Sequence, residues 1–294
     1  MPGDLHIHTQ LSDGSMGIND VIVLAKKRGI STIAVTDQDM LYGCERAKII
    51  GDRYEVNVLE AVELSSTNPH NGKEVHILCY LPESTDRLQG LCRENLQKRA
   101  ATSQRMLVQI MRRYPITPEL VKNVHQGSTC VYPIHLMRAL LESGCTDRMF
   151  GDLWEELFTE HSERNILFKT HFRPPQEVIE TVHNAKGLAV LAHPGLDGAG
   201  DMLEELIAAG LDGIEVFHAA NSREEQKRLA AICKVKNLAV VGGSDFRGMY
   251  SPGAVTIGDQ QMNDSQVSQL LSFKARRRRR ASHLALTEEA EAEA

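Results

Sequence analysis

A chain of 294 residues with 42% hydrophobic content can bury one large core, or a core plus an inserted lobe, which excludes disorder throughout. Its net charge of −6 gives no general attraction for nucleic acid or an anionic membrane, so any anion it binds must be held by a local site. No stretch approaches the roughly 18 apolar residues of a membrane span and the first residues lack the order of a signal peptide, so a soluble cytoplasmic protein with no membrane or obligate protein partner is expected.

In chain order, short apolar runs ending in polar residues alternate with helical periodicity. A strand is predicted over 4–8, a helix over 18–29, a strand over 33–36, a helix over 43–53 and a strand over 56–64. This βαβαβ order predicts a mostly parallel sheet. A further strand is read over 75–80. Between 84 and 169 strand signals vanish and helix formers dominate, as over 91–113 and 134–142, which predicts a helical insertion above the barrel mouth. The alternation then resumes: helix 178–185, strand 188–193, helix 203–209, strand 213–217, helix 223–235, strand 238–243. The expectation is an α/β fold in which 1–83 and 170–260 close one β/α barrel, 84–169 form a helical lobe and 261–294 form a charged tail. In that tail the arginines at 276–280 are followed by Glu288, Glu289, Glu291 and Glu293, and the segment reads as pairing with itself or with solvent rather than with RNA or acidic lipid.

Cys44, Cys79, Cys92, Cys130, Cys145 and Cys233 show no CxxC spacing, which argues against a disulfide framework and a thiolate zinc site. The histidines and carboxylates carry more information. His6 and His8 lie two apart on the first strand, where a period of two points both imidazoles to the same side. Alone, this pair also fits a buried hydrogen-bonded couple. The other strands add residues of the same chemistry: Asp37 and Asp39 follow the second, Glu63 ends the third, His76 opens the fourth, His193 ends the fifth and Asp245 follows the last. In β/α barrels the carboxyl ends of the strands form one rim, and imidazole with carboxylate suits zinc, manganese and iron better than calcium. A metal site with more than one ion is expected there.

These residues lie in short motifs: Asp4-Leu-His6-Ile-His8, Asp13-Gly14, Thr36-Asp37-Gln38-Asp39, Glu63, His76-Ile-Leu, Ala192-His193-Pro194 and Gly242-Gly-Ser-Asp245-Phe246. Together they closely resemble the PHP (polymerase and histidinol phosphatase) phosphoesterases, over about residues 3–258. The length and central insertion resemble the bacterial group acting on nucleoside 3′,5′-bisphosphates and short 5′-phosphorylated oligoribonucleotides. The resemblance implies a distorted seven-stranded β/α barrel. It implies one metal held by His6, His8, Glu63 and Asp245, and a second held by Glu63, His76 and His193, with Glu63 bridging. A third metal in the family uses an aspartate at the place of Asp13 and two histidines, whose places here carry Gln38 and Arg247. About two divalent ions (manganese, iron or zinc) are therefore expected, with Asp13 and Arg247 left as catalytic candidates beside Glu63.

Two divalent ions sharing a carboxylate can activate a water and neutralise a phosphoryl oxygen, and the chain has no GxSxG or P-loop signature for a covalent or nucleotide-cradling alternative. His135 and Arg138 fall at i and i+3 on one predicted helix, and His171 lies where the chain re-enters the barrel. Comparable positions in the bisphosphate-hydrolysing group make these three the candidate contacts for substrate phosphate. His70, His125, His161, His183, His218 and His283 read as ordinary surface or packing residues. The leading expectation is hydrolysis of a nucleotide 3′,5′-bisphosphate or an oligonucleotide end, with a small phosphorylated substrate as the only partner. The alternatives are a phosphatase of another small phosphomonoester such as histidinol phosphate, and a degenerate domain that binds metal or nucleotide without catalysis.

Overall fold

The structure is a computed structural model that describes residues 2–196 and 199–277. Seven strands form one sheet in sequence order: β1 Gly3–Ile7, β2 Thr32–Val35, β3 Asn57–Thr67, β4 Glu74–Tyr80, β5 Leu188–Leu191, β6 Gly213–Phe217 and β7 Ala239–Gly242. The last strand returns to the first. Ile7 bridges Phe246 in parallel, and the His8 N–H donates to the Phe246 carbonyl at 2.9 Å, so the sheet is a nearly closed barrel. At this seam Gly243 lies against the His6 backbone so closely that a Cβ there would collide with the His6 nitrogen.

Most pairings in the sheet are parallel, as the alternation of elements suggested, and one reversed strand makes it mixed. β4 is antiparallel to both β3 and β5. A tight turn makes this possible: Asn68 and Lys73 close it through the Asn68 N–H and Lys73 carbonyl, and Gly72 adopts φ 72° within it. The reversal matters for the site, because the beginning of β4 then lies at the same rim as the ends of its neighbours. His76 stands opposite Ser65, two residues beyond Glu63, so Glu63 and His76 share the inner face.

Apolar residues separate the layers. Leu59, Ala61, Leu78, Val190 and Val241 fill the barrel interior, while helices such as Ile18–Lys27 bury Ile18, Val21, Ile22 and Ala25 against the outside of β1 and β2. The chain between β4 and β5 forms helices Asp86–Arg113, Pro118–Val124, Pro133–Glu142 and Asp152–Phe158, which enclose a second core around Ile110, Leu136, Met137 and Leu157. The first of these helices serves both cores, since Leu88, Leu91 and Cys92 near its start pack with the barrel cluster.

The first residues of the segment expected to be a charged tail, 261–277, pack on the barrel. Met262 bridges Gly3, and residues 264–277 are helical, with Val267 and Leu270 buried against the barrel's interior cluster. These apolar positions outweigh the charged character that suggested a solvated tail. Arg278 to Arg280 and the acidic residues after them lie outside the described residues. Among the described residues no helix is long and apolar enough to cross a membrane.

Candidate metal centre

At the rim, His6 and His8 project inward from β1 with their Nε2 atoms 3.2 Å apart. Glu63 enters from β3, with Oε1 3.5 Å from His6 Nε2 and Oε2 3.4 Å from His8 Nε2. Asp245, just beyond β7, brings Oδ1 to 3.4 Å from His6 Nε2 and 3.2 Å from His8 Nε2. The same Glu63 faces a second group: His193 Nε2 lies 3.1 Å and His76 Nδ1 3.3 Å from its Oε1, and the two imidazoles are 3.5 Å apart. Two clusters with ion-binding spacing therefore share one carboxylate, His6, His8 and Glu63 on one side and Glu63, His76 and His193 on the other.

The chemistry of these atoms fits divalent ions. Glu63 Oε2 and Asp245 Oδ1 are buried without a hydrogen-bond partner, an expensive state that a cation between them would relieve. Facing imidazole nitrogens can share at most one proton, and here two such pairs point at carboxylate oxygens. Burial works against charge on His6, yet Glu215, Asp245 and Glu63 outweigh it and hold its imidazolium well above the usual range. His8 is pushed up to about 9 against burial and Arg247, by Asp13 and Asp245. His76 is likewise raised to about 10, against its burial, by Glu63 and Glu74. Glu63 is buried too, but His76 and His6 keep its carboxyl far below the ordinary range. The field at this rim is strongly negative and attracts cations.

Asp13, Gln38 and Arg247, at the margin of these clusters, have other partners. Arg247 Nε donates to Asp13 Oδ2 at 2.8 Å, its NH1 donates to Asp245 Oδ2, and NH2 lies 3.4 Å from His8 Nε2. Asp13 Oδ1 is 2.9 Å from His8 Nδ1. Burial would raise Asp13, but Arg247 and His8 hold its carboxyl far below normal. Gln38 Nε2 faces His76 Nε2 at 3.3 Å. Asp37 and Asp39 turn away from the clusters. Asp37 accepts from the Thr9 N–H and hydroxyl and from Ser12 at 2.6 to 2.8 Å. Asp39, in a left-handed backbone at φ 55°, accepts from the Ser65 N–H and hydroxyl and from Asn95.

Two of the three candidate phosphate contacts have local partners. His135 is buried, and its Nδ1 accepts the Tyr132 N–H at 3.1 Å, capping the helix Pro133–Glu142. Burial pushes it down to about 4 despite the pull of Asp13, so it is a neutral ring at neutral pH. Arg138 pairs with Glu142 at 2.7 Å and rests its NH1 3.8 Å from the sulfur of Met249 in the turn after β7. His171 is exposed, next to Phe172, whose N–H is anchored on Thr67 at the end of β3. His218, read from the sequence as a packing residue, is instead buried at the centre, with Nε2 3.5 Å from Asp245 Oδ2 and its ring 5.3 Å from that of His193. Glu215 on β6 also escaped the sequence reading: its Oε1 lies 2.9 Å from His6 Nδ1, and its Oε2 accepts the His193 N–H at 2.8 Å. A charged residue inside the short apolar strand over 213–217 was the available signal.

Residues 4–192 match the PHP domain family. A phosphoribosyl 1,2-cyclic phosphate 1,2-diphosphodiesterase of Eggerthella lenta is 32% identical over 84% of this chain and 94% of that protein. The 5′-3′ exoribonuclease Rnm of Escherichia coli is 29% identical over 83% of this chain and 84% of its own length. A crystal structure from Bifidobacterium adolescentis, provisionally described as a metal-dependent phosphoesterase, superposes with a TM-score of 0.82 at 26% identity, covering 92% of this chain and 96% of the other.

Proposed function

Because the chain belongs to the PHP domain family, we propose that it is a metal-dependent phosphoesterase that hydrolyses a phosphate ester of a nucleotide or of a short oligonucleotide end. The observation that carries this reading is the pair of imidazole and carboxylate clusters sharing the fully buried Glu63. In this reading His6, His8, Glu63 and Asp245 hold one divalent ion, and Glu63, His76 and His193 hold another. Manganese, iron and zinc all suit such ligands. When bound, the pair supplies an activated water and neutralises the phosphoryl oxygens.

The chain's own residues do the rest. Arg247 spans Asp13 and Asp245 and keeps positive charge where related proteins would place a third ion, so about two metals are expected. With its donors directed at two carboxylates, this guanidinium holds the rim together. Arg138 and the exposed His171 remain the groups for a phosphate that is not cleaved. His135 contributes by ordering the helix that carries Arg138.

A second reading has its own support, since the Eggerthella lenta protein, named for a cyclic ribose phosphate, matches at higher identity than the exoribonuclease. The substrate would then be a cyclic phosphodiester of a sugar. The test is turnover by metal-stripped protein resupplied with manganese, comparing 3′,5′-adenosine bisphosphate, a 5′-phosphorylated oligoribonucleotide, phosphoribosyl 1,2-cyclic phosphate and histidinol phosphate. The proposal expects the bisphosphate or the oligonucleotide to be turned over fastest. Preference for the cyclic ester would establish the second reading, and preference for histidinol phosphate would overturn both.

A further inference from the structure

Strand β6 supplies no member of either ligand cluster, yet its central carboxylate reaches both. Glu215 is fully buried between β5 and β7, where apolar residues such as Val190 and Val241 would be the ordinary occupants. Its Oε1 sits 2.9 Å from His6 Nδ1, in the first cluster, and its Oε2 accepts the backbone N–H of His193, in the second, at 2.8 Å. His193 has φ 25°, a left-handed conformation that costs a non-glycine residue energy and persists only when neighbours impose it. Asn221 braces the same junction: its amide donates to the Glu215 and Val216 carbonyls at 3.0 Å, and its Oδ1 accepts the Gly195 N–H at 3.0 Å.

A carboxylate at His6 Nδ1 favours a proton there, so in the neutral ring that a metal needs the lone pair falls on Nε2, aimed at Glu63 and Asp245. The second oxygen meanwhile fixes the backbone from which His193 extends to Glu63. We propose that Glu215 is a positioning residue that orients one ligand of each metal at once, tying the geometry of the two sites together from behind. This rests on the two-metal reading above. A burial-only role is poorly served by a charge, because an apolar side chain would fill the space at no desolvation cost, whereas a carboxylate there needs the partners it has.

The Glu215→Gln variant separates the alternatives, because its amide can still accept the His193 N–H but presents an N–H to His6 Nδ1. His6 would then have to reverse its tautomer, which places a proton on Nε2. Zinc binding to the full chain, measured by competition with a chromophoric chelator, should weaken by about 10- to 100-fold in Glu215→Gln and recover most of that loss in Glu215→Asp. Nitrogen NMR of the histidine-labelled, zinc-loaded natural chain should show His6 protonated at Nδ1, a readout that needs no variant to fold. Unchanged zinc affinity in a folded Glu215→Gln, no recovery in Glu215→Asp, or His6 protonated at Nε2 would overturn this proposal alone. A natural chain that binds no zinc would overturn the metal reading and this proposal with it.

Discussion

At the scale of single residues, the centre is defined as much by Gln38 and Arg247 as by its ligands. One guanidinium engaging Asp13 and Asp245 supplies a permanent charge but no site at which water can be activated. The Gln38→His, Arg247→His double variant should therefore gain one equivalent of bound metal over the natural chain, counted by elemental analysis after dialysis. A natural chain that already retains a third equivalent would contradict the replacement. What could be read at this scale from sequence was whatever depends on local period. His6 and His8 share a side because a strand repeats every two residues, and His193 and Asp245 follow from strand ends, whereas Glu63, expected to end its strand, lies within β3, which runs on to Thr67. The roles of Glu215 and His218 were not legible, since they depend on which strands become neighbours across the barrel. His135 was read for its chemistry, while its position as the third residue of a helix decided its partner.

At the scale of elements, the reversal of β4 and the dual use of helix Asp86–Arg113 set how the lobe meets the rim. The antiparallel turn was hidden because a strand's direction leaves no mark in its own composition. Asn95 and Arg99 from that helix bind Asp39 and Ser65, so the lobe is pinned to the barrel through buried polar contacts. His135 adds a pH dependence to this region. Its folded-state value is lowered to about 4 from an ordinary 6.5, so the unfolded chain takes up a proton first as pH falls. The stability it confers is complete above about pH 6.5 and declines between there and about pH 4, by roughly 3 kcal/mol at most. A His135→Gln variant keeps an acceptor for the Tyr132 N–H without the titration. Its stability relative to the natural chain, from urea unfolding, should improve steadily from pH 7 to pH 4.5. A difference independent of pH would mean that His135 titrates normally in the folded protein.

At the scale of the whole molecule, the barrel is closed at one end by helix 264–277 and bears its charge at the other. The interior cluster runs from Val267 and Leu270 through Leu5 and Val241 toward Glu63, so the rigid apolar body supports the rim from beneath. The alternating elements made this architecture readable, and the closing helix was missed because arginines and glutamates nearby masked its two buried positions. In the function proposed above, two metal clusters sharing Glu63 perform the hydrolysis. The most direct test is a manganese titration of stripped protein in which bound metal and phosphate release from the preferred substrate are followed together. Release should be negligible before the second site fills and reach full activity near two equivalents, with at least about a hundredfold loss in Glu63→Gln at any manganese concentration. Undiminished release by the stripped protein in the presence of chelator would contradict that function.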